Sequence, residues 1–142
     1  MARVNIEITG KHVFTTILPV RISDINYGNH TGNDKIAAFL QEARMQWLKK
    51  YNFTELNIGG AGWIMSDLAI QYLKESGYGD ELKIQMYVDG IGRSSFEFYY
   101  LITIASDENI VIAKAKTGMV CFDYTTKRIA AIPASLLEIF NS

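Results

Sequence analysis

Cysteine is almost missing from this chain: Cys121 stands alone, so no disulfide can form within it and no thiolate zinc cluster is expected. Histidine is nearly as scarce. His12 and His30 are the only two, and neither sits in an H-E-x-x-H or similar spacing, so a structural metal is not expected. Charge of one sign is lacking too. Lysine and arginine number 14 against 15 acidic residues, interspersed along the chain, which argues against broad electrostatic attraction to nucleic acid. No apolar run approaches the roughly 20 residues of a membrane helix, and "MARVNIEITGKHVF" lacks the basic-then-apolar layout of an export signal. A cytoplasmic protein is the expectation. Phosphate-cradling loops are absent as well, since "GGAGW" has neither the lysine nor the spacing, and no G-x-S-x-G elbow occurs. Linkers, repeats and low-complexity stretches are missing, so the 142 residues read as one domain, 1–142.

What remains is a clear alternation of strand and helix periods. Residues 4–8 read as a short strand closed by Gly10. From Phe14 to Ile22 every second residue tends to be apolar, the period of a half-buried strand, and Pro19, which donates no hydrogen bond, makes that strand irregular or puts it near an edge at that point. From Asn33 the period changes. Ile36, Phe39, Leu40, Ala43 and Trp47 recur at helical spacing, with Asn33 as N-cap, Asp34 in the first turn and Lys49–Lys50 in the last. After the flexible "NIGGAG" come four long strands read as a meander, about 63–75, 81–90, 92–105 and 109–122, rich in aromatic and β-branched residues. Cys121 lies in the last of them as a buried, inert thiol. A short helix starts at Pro133. The order predicts an α+β fold with one long helix laid on an antiparallel sheet.

Polar chemistry concentrates in "RISDINYGNHTGNDKIAAFLQEAR", residues 21–44. Here a loop carrying Asp24, Asn26 and His30 feeds into a helix at Asn33. Backbone N–H groups at a helix N-terminus have no helical partner and carry partial positive charge, so they can polarise a carbonyl or hold an oxyanion. The Asn–His–Asn cluster adds hydrogen-bond donors and an imidazole, a group that titrates near neutral pH. Such a set suits polarising an acyl carbonyl while orienting water at it. The same residue types also serve ordinary loops and caps.

This stretch resembles the signature of the hot-dog-fold acyl-CoA thioesterases of the 4-hydroxybenzoyl-CoA thioesterase type, roughly R-x-x-D-x-D-x-x-x-H-x-x-N-x-x-Y-x-x-x-x-x-x-A-R. It stands here as Arg21, Asp24, Asn26, His30, Asn33, Ile36, Ala43 and Arg44, without a gap. "YGDEL" leading to "GRSSF", and "AKTGMVCFDYTTKRIAAIPASL" at the end, resemble the family's later strands and its closing hairpin. The resemblance implies a hot-dog fold, hydrolysis of an acyl-CoA or acyl-carrier-protein thioester, no tightly bound cofactor or metal, and a homodimer or homotetramer with the site at the subunit interface. At the helix N-terminus the N–H of Asn33 or Gly32 is the expected holder of the carbonyl oxygen, and the resemblance implies that Arg93, Ser94 and Ser95 contact the nucleotide end of coenzyme A.

One position departs from the pattern. Where many members carry a catalytic aspartate, this chain has Asn26, and an amide cannot take a proton from water. Three accounts follow. His30 becomes the base, with Asn26 positioning water and a second carboxylate, Asp67 in "WIMSDLAIQY", assisting. Alternatively Asp24 substitutes, although the resemblance implies that this position supports the loop and pairs with Arg21. Lastly, hydrolysis is lost and the protein binds acyl thioesters as a dimer. A hydroxyacyl-thioester dehydratase is a further rival, weakened by the lack of proline in "NHTGNDK".

Overall fold

Alternating buried and half-exposed residues in the second half of the chain become pleated strands in the computed structural model, which describes residues 3–142. Met1 and Ala2, part of the expected 1–142 span, lie outside the described residues. The elements are β1 (Lys11–Pro19), a 3-10 turn (Ile22–Asp24), α1 (Asn33–Lys50), β2 (Gly62–Tyr72), β3 (Glu81–Asp89), β4 (Ser95–Ile104), β5 (Asp107–Asp123), β6 (Arg128–Ile129) and α2 (Ala134–Asn141). One antiparallel sheet runs β1-β3-β4-β5-β2, with β6 added to β5. The long helix lies on one face of it, the hot-dog arrangement.

Three sequence expectations change. Residues 4–8 form no strand. Ile6 N donates to the Gln71 side chain and Thr9 Oγ1 to Asp89, so this segment ties to side chains on β2 and β3 instead of pairing with a backbone edge. The strands are also not a simple meander. β3, β4 and β5 pair in succession, but β2 crosses to the far side of β5, which leaves β2 as a sheet edge. The first strand stops at Pro19, not Ile22, and its place at the opposite edge accommodates the missing N–H.

Helix α1 buries Ile36, Phe39, Leu40, Ala43, Trp47 and Leu48, the stripe its spacing dictates. Trp47 is fully buried. It stacks on Trp63 (6.1 Å between centroids) and Phe140 (6.0 Å) and meets Phe98 edge-on (5.7 Å). Such pairs each add about 0.5–1.5 kcal/mol beyond area burial. Through Phe140, α2 locks the far end of α1 to the sheet.

One irregularity in β2 matters for the site. Met65 pairs with Met119 and Asp67 with Gly118, so Ser66 is an extra residue, a β-bulge. Trp63 and Met65 share the helix side of the sheet with Cys121 and Met119. Past the bulge, Leu68, Ile70 and Tyr72 take that side, and Asp67 turns to the other face. Gly118 makes room for this: a Cβ there would lie 2.7 Å from Ser66 Oγ and 2.8 Å from Asp67 Oδ1. Cys121 is fully buried, and burial pushes its thiol up to about 11.

Candidate active site

The loop ahead of α1 is held from within. Asp24 is buried and accepts from the Arg21 N–H at 2.8 Å and from the Arg21 guanidinium. Burial alone would raise its carboxyl, but Arg21, with help from Lys35, outweighs this and holds it below the usual carboxylate range. Its own carbonyl accepts Gly32 N–H at 2.9 Å. Asn26 Oδ1 accepts from Gly28 N–H (3.0 Å) and His30 N–H (3.2 Å), and Asn29 takes a left-handed φ of 64° to close the turn. Thr31 is pinned to the segment that follows β2: its N–H donates to Ser76 carbonyl, and the Ser76 hydroxyl donates to Thr31 Oγ1 at 2.7 Å.

The helix starts one residue earlier than the composition suggests. Gly32, not Asn33, is the N-cap: its carbonyl accepts Lys35 and Ile36 N–H, and no side chain caps the end. Gly32 N–H is therefore already used by Asp24, and of the two donors expected to hold a carbonyl, only Asn33 remains. The N–H groups of Asn33 and Asp34 have no partner among the described residues. They point out of the positive end of an 18-residue helix.

A cavity of about 200 Å³ opens at this end, lined by Asn26, His30, Asn33, Ile36, Tyr72 and Glu75 among others. Asn26, His30 and Asn33 therefore come together as expected. The carboxylate that meets the imidazole was not foreseen. Glu75 Oε2 lies 2.9 Å from His30 Nε2, which makes Nε2–H the donor and leaves Nδ1 as the nitrogen able to accept a proton. Tyr72 was also missed. Its hydroxyl donates to Asn33 carbonyl at 3.0 Å, and its phenol is pushed up by burial and by Asp34. Topology held the signal for both: β2 runs back along α1, so its last residue, Tyr72, and the segment just after it, with Glu75, reach the helix N-terminus.

Other expected residues lie elsewhere. Asp67 does not reach this cavity. The bulge turns it to the opposite sheet face, where Lys116 Nζ contacts both its oxygens (2.9 and 3.0 Å) and Gly118 N–H donates to it. The Lys116 contact, reinforced by Gly118, holds the Asp67 carboxyl below the usual range. Asp24, with its oxygens engaged by Arg21, supports the loop and does not line the cavity. Arg93, Ser94 and Ser95 sit at the β3–β4 turn. Arg93 carbonyl accepts Ile132 N–H, Ser94 carbonyl accepts Cys121 N–H, and Ser95 shares a hollow with Asp67 and Lys116.

A long helix laid on one antiparallel sheet, with an imidazole and N–H groups unpartnered among the described residues at the helix mouth, is the hot-dog architecture. The chain belongs to the thioesterase-like superfamily, whose model matches residues 20–140, and acyl-thioester hydrolysis is the activity this membership supports. No curated protein matches it in sequence. Among solved structures it is similar to a 1,4-dihydroxy-2-naphthoyl-CoA thioesterase from Synechocystis (TM-score 0.82, 20% identity, covering 91% of this chain and 96% of that one). It is also similar to a candidate acyl-CoA thioesterase from Xanthomonas campestris (TM-score 0.73, 19% identity, 80% and 96%). A predicted thioesterase from Bacillus stearothermophilus is a third (TM-score 0.78, 20% identity, 90% and 93%). At these identities the likeness is one of fold. Among the described residues no helix is long and apolar enough to cross a membrane.

Proposed function

We propose that the chain, as one hot-dog domain over 1–142, hydrolyses acyl thioesters of coenzyme A or acyl carrier protein in the cytoplasm, with His30 as general base. The observation that carries this reading is the His30–Glu75 contact beside the unpartnered N–H groups of Asn33 and Asp34. The thioester carbonyl oxygen sits on those N–H groups, which stabilise the oxyanion as it forms. Asn26 Nδ2 orients the water, its Oδ1 being occupied by Gly28 and His30 N–H. His30 Nδ1 takes a proton as water adds to the carbonyl carbon, and Glu75 stabilises the imidazolium. Collapse of the tetrahedral intermediate breaks the C–S bond, and the imidazolium returns its proton to the departing thiolate. Glu75 thus takes the role assigned in sequence to Asp67.

The same reading carries a homodimer or homotetramer. β2 is a sheet edge, and Ile64, Met65, Leu68, Tyr72 and Leu73 on and just after it are exposed, which suits pairing with a second copy. A monomer by analytical ultracentrifugation would remove this part. Arg93, with Ser94 and Ser95, is the group assigned to the nucleotide end of coenzyme A, and the exposure of Arg93 at its turn supports this.

Free-thiol release from short, medium, long and aromatic acyl-CoA substrates tests hydrolysis. His30→Ala is expected to lower kcat/KM by a factor on the order of 10²; turnover near the wild-type rate would strike His30 from the mechanism. One observation favours a second reading, binding without hydrolysis: the amide at Asn26. Tight binding of a non-hydrolysable thioester analogue with no turnover of its natural counterpart would establish it.

A further inference from the structure

Arg44 is the most deeply buried cation the side-chain contacts describe, at 8% exposure, and no carboxylate among the described residues lies within 4.0 Å of it. Its Nη1 donates to the Tyr100 hydroxyl at 3.2 Å, which is shared with Thr117 Oγ1 at 2.7 Å. Nε is buried without a partner. Burial pushes the Tyr100 phenol up, so this neighbour stays neutral and supplies no counter-charge. A guanidinium withdrawn from water and left without an anion is costly, and the cost is recovered when an anion arrives.

Arg44 also lines a cavity of about 290 Å³ between α1 and β2. The other lining residues are Asp34, Ala37, Ala38, Gln41, Met65 and Leu68. Asp34 and Arg44 stand ten residues apart on one helix stripe, about 15 Å along the axis. Asp34 follows Asn33, whose N–H is assigned the thioester carbonyl above, so this second cavity begins one residue along the helix from the reacting end. Its middle, Ala37, Ala38, Met65 and Leu68, is apolar and fits methylene or ring carbons. Its far end is cationic. An anion is repelled from the Asp34 end and drawn to the Arg44 end, which fixes the direction in which such a group lies.

We propose that this cavity takes the acyl part of the thioester and that Arg44 selects acyl groups ending in a carboxylate. This rests on the thioesterase reading above. The test is a matched series: succinyl-, adipoyl- and suberoyl-CoA against butyryl-, hexanoyl- and octanoyl-CoA, with wild type, Arg44→Met and Arg44→Lys. The expected result is a wild-type preference for the carboxylate member of at least one pair by about tenfold to a hundredfold in kcat/KM. That ratio falls toward one in Arg44→Met and is partly kept in Arg44→Lys, which retains the charge without the fork. If Arg44→Met does not fold, a reduced ratio in Arg44→Lys supports the assignment and an unchanged ratio overturns it. Equal ratios in wild type and Arg44→Met overturn it while leaving hydrolysis intact. An unchanged ratio with weakened self-association overturns it too, and gives Arg44 to the subunit contact. Should wild type hydrolyse none of the six, straight-chain acyl-CoA is removed as the substrate class. Calorimetric binding of free suberate then decides for Arg44: weakening by tenfold or more in Arg44→Met supports the subsite, and equal or absent binding in both proteins removes it.

Discussion

Replacing Glu75 with glutamine keeps the shape of the side chain and removes its charge. If Glu75 acts by stabilising the imidazolium that forms on His30, the loss equals the interaction of two unit charges 2.9 Å apart. In a water-like dielectric that is about 1.4 kcal/mol. The side chains are 45% and 72% exposed, so screening and mobility reduce it to about 1 kcal/mol. The expected loss in kcat/KM is therefore about fivefold, tenfold at most, against a hundredfold for His30→Ala. Because Glu75 acts through His30, the double variant should be no slower than His30→Ala alone, a full failure of additivity. The effect should also shrink as salt rises, since the pair is exposed. Thiol release from the best acyl-CoA substrate, at low and high salt, measures all four proteins. Wild-type turnover in Glu75→Gln, or a double variant slower by the product of the two single losses, would refute the argument.

Asn26→Asp should keep or raise turnover, because one carboxylate oxygen still accepts the Gly28 and His30 N–H groups while the other, in place of Nδ2, holds the water by accepting its hydrogen bond; an inactive, folded variant would make the amide itself essential. Asp24→Asn should cost about 2 kcal/mol in urea unfolding at neutral pH, the scale for charge-assisted bonds to a buried group. The Asp24 carboxyl is held low, so its stabilisation is fully present above the usual carboxylate range and is lost as pH falls below that range and through the group's own lowered value. The wild-type and variant curves should converge below about pH 4; a constant gap down to pH 2 would show that charge is not the cause. Trp47→Ala should cost about 3–5 kcal/mol, read from thermal or urea unfolding, since it removes the ring that Trp63, Phe98 and Phe140 pack against.

Much of this architecture was legible in the residues. The α1 stripe from Ile36 to Trp47, the edge position of the Pro19 strand and the meeting of Asn26, His30 and Asn33 at one helix end all followed from spacing and motif. What was not legible shares a cause: it depends on contacts between segments distant in sequence. Asp67 sits in a run whose alternation gives no hint of the extra residue at Ser66, because a bulge is decided by the partner strand and by the space Gly118 leaves. Glu75 lies in an exposed "LKESG" stretch that fits no motif, and becomes chemical only when β2 returns beside α1. The N-terminal residues 4–8 have strand composition, but Ile6 N–H is taken by the Gln71 side chain instead of a backbone carbonyl of the β2 edge. Gly32 displaced Asn33 as the cap because the Asp24 carbonyl had already fixed its N–H.

The crossing of β2 beyond β5 also sets the order in which the molecule can assemble. β3, β4 and β5 are joined by short turns and pair with their sequence neighbours, so they need little loop closure. Pairing of Gly62 with Phe122 and of Lys11 with Val88 closes far longer loops, and edge strands carry that entropy last. The cavity is built where two late arrivals meet, the loop ahead of α1 and the tail of β2. Amide protons of Thr31 and the β2 edge should therefore exchange by a smaller opening than those of β4, and the machinery at the helix mouth is the part of the fold that a bound acyl group would slow most.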